Sequence, residues 1–261
     1  MELVKITCDA RGVASLVLAR PDKRNALSAQ MMDEITQAAR DLDANPDVRV
    51  IVLQAEGQVF CAGGDLGWMR DQMGADRATR IAEAGRIAGM LQTLNTLGKP
   101  LIGRVQGDAF GGGVGMACVC DVVVASDQAR FGLTETKLGL IPATIGPYVL
   151  ARMGEGRARQ VFMSSRRFDA SEALGLGIVT RVVGQDALDA AITREVDPYL
   201  SCAPGAVAAA KAYARSYGTV IDKATIDRSI AALIAQWETD EAAEGIAAFF
   251  EKRKPSWDQT A

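Results

Sequence analysis

The chain alternates between short β-branched runs and longer stretches with apolar residues at helical spacing. Leu3–Cys8 and Val13–Ala19 flank Asp9-Ala10-Arg11-Gly12 and predict a hairpin. Ser28 stands where an N-cap is expected, before a helix to about Ala44 with Met31, Met32, Ile35, Ala38 and Ala39 on one face. Val48–Ala55 predicts a buried strand. Helices are expected from Leu66 to Met73 and from Asp76 to Leu97, the second with Ile81, Ala84, Ile87, Met90, Leu91 and Leu94 as its apolar positions. Pro100 opens a strand leading to Gly111-Gly112-Gly113, and Val122–Ala125 is the next strand. Gly146–Met153 and Gly156–Met163 predict helices, 168–177 a short helix closed by glycine, and Ile178–Val183 a last strand. From Asp186 onward the pattern is helical throughout, over about 186–201, 204–217, 219–238 and 240–253. The expected division is a core over 1–185 and a helical region over 186–261, with no Pro-, Gly- or Ser-rich linker between them. Strands separated by helices predict an α/β fold, although no sequence repeat is visible.

Two glycine-bearing loops interrupt this pattern, each after a strand: Cys61-Ala62-Gly63-Gly64-Asp65 and Gly111-Gly112-Gly113. A loop that runs into a helix N-terminus exposes backbone N–H groups and favours anions. Two such loops, each giving one N–H to the same carbonyl oxygen, would form an oxyanion hole. One donor of this kind contributes about 2.7–4 kcal/mol to transition-state stabilisation. The same glycines equally suit a tight turn that packs a helix closely on a sheet, and a glycine turn alone leaves both readings open. Glu135 lies in a loop beyond the second glycine run.

Composition narrows the chemistry. Almost half of the 261 residues are hydrophobic and aromatics are scarce, so aliphatic side chains must fill the core. Basic and acidic residues nearly balance at 29 and 32, and no basic block points to nucleic acid or a membrane surface. No signal-peptide pattern and no apolar run near 18 residues is present, so a cytoplasmic protein is expected. Cysteines at 8, 61, 118, 120 and 202 have neither zinc-ligand spacing nor the density of a secreted disulfide scaffold. The chain has no histidine, which removes Ser-His-Asp and Cys-His catalysis and the usual imidazole metal sites. Proton transfer falls to Asp, Glu, Lys, Tyr, Cys or water, with a carboxylate as first candidate.

FCAGGDL, followed about fifty residues later by VQGDAFGGGVGMACVCD and FGLTETKLGLIP, resembles the enoyl-CoA hydratase/isomerase (crotonase) superfamily. The resemblance runs from RPDKRNALS near the start to FFEKRKPSW near the end. It implies a crotonase-like core of β-β-α superhelical turns and a C-terminal helical region for assembly as a trimer or a dimer of trimers. It implies an acyl-CoA substrate and no separate cofactor or metal, coenzyme A being part of the substrate. The oxyanion donors it implies are the N–H groups of Ala62 and Gly112. Glu135 matches one of the two glutamates of the typical hydratase. The other position, three residues beyond Gly112, holds Gly115.

The remaining contacts implied for the substrate and its CoA are Lys23, Arg24 and Ala26 in the first loop; Gly63, Gly64, Asp65 and Leu66; Gly111; and Thr134, Pro142 and Thr144. Phe249 and Lys252 match tail positions that reach a CoA on a neighbouring subunit. Trp68 and Met69 suit the acyl pocket or ordinary core packing equally. Burial among Phe131, Leu133 and Leu138 would raise the pKa of Glu135. LIPATIGPYV and AGGDLGWM are similar to the bacterial branch that hydrates 3-methylglutaconyl-CoA or isohexenylglutaconyl-CoA, which also carries glycine at the Gly115 position. The expected reaction is therefore hydration of a branched glutaconyl-type thioester. Isomerisation of a 3-enoyl-CoA by the single glutamate, or acyl-CoA binding without turnover, stays open. Arg104 and Lys137 are candidate partners for a second substrate carboxylate.

Overall fold

The computed structural model describes residues 1–259. Its centre is a six-stranded sheet in the order β1 (Val4–Cys8), β2 (Val13–Leu18), β3 (Val50–Ala55), β4 (Leu101–Val105), β6 (Val122–Ser126) and β9 (Arg181–Val183). The β1–β2 hairpin is antiparallel and every later pairing in this sheet is parallel. Parallel strands are buried on both faces, which explains the four consecutive apolar residues 50–53 of β3. Its Ile51 and Leu53 enter the main core, while Val50 and Val52 face α8 (Leu188–Leu200) and pack with Ile102, Val124, Leu188 and Ile192.

The main core is closed by α1 (Ala29–Ala44), α3 (Arg77–Thr96) and α4 (Gly112–Val119). Ser28 caps α1 as expected, its hydroxyl accepting the N–H of Met31 at 3.2 Å. A second, three-stranded sheet joins β5 (Ala109–Phe110), β7 (Arg130–Gly132) and β8 (Arg167–Asp169), and it carries the second glycine loop. Strands of two or three residues have no readable period, so β7 and β8 leave no sequence signal. The last strand is shorter than expected because Ile178 and Val179 turn back, both N–H groups donating to the Ala173 carbonyl at the end of α7 (Ala170–Leu176).

The C-terminal helices divide. In α10 (Lys223–Trp237) and α11 (Asp240–Glu251), Leu233, Ile234, Trp237, Ala242 and Ile246 form a core with Ala84 and Leu140. A side chain at Gly245 would stand 2.5 Å from the Leu138 backbone, so α11 lies directly on the Glu135–Leu138 turn. By contrast, α9 (Pro204–Ser216) buries none of its residues. Positions 260 and 261 of the expected helical region lie outside the described residues.

Candidate active site

Asn25 organises the first wall of the site. It is fully buried with φ +52°, and its Nδ2 donates to the carbonyls of Glu56 and Val59 at 2.9 and 2.8 Å. This brings Leu27 beside the first glycine loop. The Leu27 N–H donates to the Gly63 carbonyl at 2.8 Å, and its carbonyl accepts from Asp65 N–H at 3.1 Å. In such a parallel bridge the residue opposite Leu27 turns its own N–H to the other side. That residue is Gly64. Its N–H has no partner among the described residues, and its Cα carries no side chain to fill the 3.7 Å approach to Met69 and Trp68.

Ala62, the donor expected from sequence, does not have this freedom. Its N–H donates to the Arg24 carbonyl at 3.0 Å and is satisfied inside the loop. Gly63 and Gly64 N–H are the open donors of this segment among the described residues, and the bridge to Leu27 sets the direction of Gly64 N–H, two residues beyond Ala62. Sequence missed it because only the bridge to Leu27 decides which N–H groups point inward.

The second loop meets the first through glycines. A Cβ on Gly113 would lie 2.8 Å from the Cys61 carbonyl, and one on Gly112 would lie 2.5 Å from Leu27 Cδ1. Leu27 thus aligns one loop with its backbone and rests its side chain on the other. Gly111 N–H is taken by the Gly132 carbonyl at 2.9 Å, and the first bond inside α4 runs from Gly115 N–H to Gly111. Gly112 sits at the helix start, where the N–H has no intrahelical acceptor. Close packing and an exposed N–H are both present here, so the two readings of the glycines are one arrangement.

Glu135 opens a single 3₁₀ turn, Glu135–Leu138. Its Oε1 lies 3.0 Å from the place a Gly111 Cβ would take, a position that also has φ +48°. The residue is half-buried, yet its Oε2 is sealed from solvent and has no hydrogen-bond partner among the described residues. Burial penalises the charged form and pushes its pKa up to about 7. Phe131, in β7, and Leu133, just past its end, are both fully buried on the way into this turn.

At Gly115 the reason for the missing glutamate is steric. A Cβ there would stand 2.8 Å from Ile145 Cγ2 and 3.4 Å from Leu91 Cδ1. An isoleucine fills the space a second acid would need.

One cavity of about 980 Å³ collects nearly all the expected residues. Lys23, Arg24, Ala26, Ala62, Gly63, Gly64, Asp65, Leu66, Gly111, Gly112, Thr134, Glu135, Pro142, Thr144 and Phe249 all line it. Lys252 does not; it is the left-handed cap of α11, with φ +55°. Asp65 lines the cavity but is committed to structure. Its carboxylate accepts from Gly67 and Trp68 N–H at the start of α2 (Leu66–Gly74) and pairs with Arg20 at 2.7 Å. Burial would raise its pKa, but these hydrogen bonds and the Arg20 charge outweigh it and hold the carboxylate low. Trp68, Met69, Ile87, Leu140, Leu233 and Trp237 give the cavity an apolar side. The last two come from α10, far away in sequence, and were not foreseen.

Arg104 faces elsewhere, paired with Asp189 at 2.7 Å in a separate groove against α8. Lys137 lines the cavity, as does Arg167, whose guanidinium stacks over the Phe110 ring at 5.0 Å. Among the described residues no group of three or more Cys, Asp or Glu is placed to hold a metal. Cys61, Cys118 and Cys120 are fully buried, which pushes their thiols up to about 12 and leaves them as packing groups.

Residues 9–260 match the family model described as enoyl-CoA hydratase/isomerase. The probable enoyl-CoA hydratase echA8 of Mycobacterium bovis is 35% identical over 260 residues, covering 98% of each chain. The mevalonyl-coenzyme A hydratase sidH of Aspergillus fumigatus is 34% identical, covering 93% of this chain and 90% of its own. Among solved structures, an enoyl-CoA hydratase from Shewanella pealeana superposes with a TM-score of 0.80 at 39% identity, covering 98% of this chain and 96% of the other. The chain belongs to the enoyl-CoA hydratase/isomerase family and has the crotonase fold.

Proposed function

We propose that the protein is an acyl-CoA hydratase that adds water across the 2,3-double bond of an enoyl-CoA, with Glu135 as its acid and base. The observation that carries this is the buried, unpartnered Oε2 of Glu135, whose other oxygen lies beside Gly111, next to the helix start that offers Gly112 N–H. In this reading the thioester oxygen is held by the N–H groups of Gly64 and Gly112. Water attacks C3 as Glu135 takes one of its protons, and negative charge moves to the thioester oxygen. The protonated carboxyl then delivers that proton to C2, so the atoms of one water end on adjacent carbons. A pKa near 7 suits both halves of this exchange, because the group gains and loses a proton at little cost.

Several features support a branched glutaconyl-type acyl group such as 3-methylglutaconyl. The relative sidH is named for a mevalonyl thioester, whose acyl chain is branched at C3. Lys137 and Arg167 line the cavity and offer cations for a second carboxylate. No separate cofactor is called on. Lys23 and Arg24, exposed at the cavity mouth, are the proposed partners of the CoA phosphates. We also propose a homotrimer or a dimer of trimers in the cytoplasm. The exposed face of α9 supports assembly, and the free cysteines support a reducing compartment.

The test is turnover of 3-methylglutaconyl-CoA and of a 3-enoyl-CoA by wild type and Glu135→Gln, with products identified by mass. Gain of one water, reduced about 10²–10⁴-fold in the variant, is expected. A same-mass 2-enoyl product without hydration would make the protein an isomerase. Binding of the CoA ester with no turnover of either substrate would make it a non-catalytic homologue.

A further inference from the structure

With one carboxylate in place of two, a water on Glu135 needs a second anchor to fix its direction of attack. Acids other than Glu135 that line the cavity are Asp22, Asp65 and Asp108. Asp65 is tied to Arg20 and the α2 cap, Asp108 accepts Arg130 N–H at 3.1 Å, and Asp22 is exposed. The hydroxyls lining the cavity belong to Thr134, Thr144 and Ser165. Ser165 is engaged, joined to Thr136 and accepting Lys137 N–H at 3.1 Å. Thr144 is only 6% exposed, its hydroxyl has no partner among the described residues, and α5 (Gly146–Met153) begins without a side-chain cap.

Its position is fixed by its neighbour. Ile145 presses on the Cβ position of Gly115, while Glu135 Oε1 presses on that of Gly111. Gly115 N–H donates to the Gly111 carbonyl, so the two positions are the cap and the first turn of α4. Glu135 and Ile145 therefore stand against neighbouring positions of one helix, and Thr144, next to Ile145, lines the same cavity as Glu135. A water held between two oxygens makes an O–H···O bond of about 2.7 Å to each.

We infer that Thr144 Oγ1 and the Glu135 carboxylate together hold the attacking water, the threonine hydroxyl standing in for the acid that Ile145 displaces. This rests on the hydratase reading. Thr144 Oγ1 accepts a hydrogen bond from one O–H of the water and neither gains nor loses a proton itself; Glu135 removes the other proton. Enolisation of a bound thioester needs Glu135 and the two N–H groups but no water, so the two activities separate the roles.

The experiment measures hydration of a 2-enoyl-CoA and exchange of the α-protons of a saturated acyl-CoA with D₂O, in wild type, Thr144→Val and Thr144→Ser. Thr144→Val should lose about 10–100-fold in kcat for hydration, the order expected when a reacting group is misplaced by about 1 Å, with KM and α-proton exchange unchanged. Thr144→Ser should restore hydration. Hydration by Thr144→Val within twofold of wild type overturns the assignment, as does a parallel loss of exchange. Wild type that exchanges α-protons yet hydrates nothing would instead overturn the hydratase reading beneath it.

Discussion

Glu135 bears two opposed demands. Catalysis as proposed needs its carboxylate to form, and the fold resists that charge because Oε2 is buried with no hydrogen-bond partner among the described residues. A carboxyl whose pKa is about 7 when folded and ordinary when unfolded stabilises the protein below about pH 4.5, and that contribution is lost as pH rises through about 7. The loss is at most about 3 kcal/mol, at about 1.4 kcal/mol per pH unit of separation. Glu135→Gln, which cannot ionise, should therefore melt several degrees above wild type at pH 8 and close to it at pH 5. Wild-type hydration kcat/KM should fall tenfold per pH unit below about 7. A melting difference that does not vary with pH would mean that the carboxyl finds a partner or water when charged.

The element that unites the site is α4, whose glycines let three other segments touch its backbone. Leu27 rests on Gly112, Cys61 on Gly113, and Ile145 on Gly115. Gly115→Glu alone should cost about 1–3 kcal/mol by overpacking against Ile145, lowering the unfolding midpoint in denaturant. Ile145→Gly alone should also destabilise, by leaving a cavity. The double variant should recover part of both losses, with a coupling of about 0.5–3 kcal/mol, because one side chain replaces the other in one space. Strict additivity would show that Ile145 does not occupy the second-acid position. This contact also marks how far the sequence could be read. Gly115 reveals that an acid is missing, but Ile145 lies thirty residues further on and nothing in its local pattern links it to that helix. Ser28, the apolar face of α1 and the run of β3 were legible because capping and burial periodicity are local. The freedom of Gly64 N–H was not, since it follows from a bridge to Leu27 across the fold.

At the scale of the whole molecule, α9 is the element whose sequence and exposure disagree. It is rich in alanine and ends beside Tyr213, Tyr217 and Val220, which are 66%, 78% and 68% exposed. The two tyrosine rings pack edge to face at 5.0 Å, forming an apolar ledge held in place by Lys211, which pairs with Asp121 at 2.7 Å. An apolar surface built on a fixed helix is the form an interface takes, and a head-to-tail contact that closes after three copies leaves no such surface open. Sedimentation at micromolar concentration should show a trimer or a multiple of it. Tyr213→Asp with Tyr217→Asp should shift the protein toward monomer while leaving the buried core, and thus the helical signal, intact. Lys252 tests the same assembly from the site. It lies outside the cavity of its own chain, so a role at a CoA phosphate requires a neighbour. Lys252→Ala should raise KM for CoA esters in the assembled enzyme and change nothing in the dissociated double variant. A monomeric wild type, or an effect of Lys252→Ala that survives dissociation, would remove the neighbour from the site and leave the α9 ledge without this role.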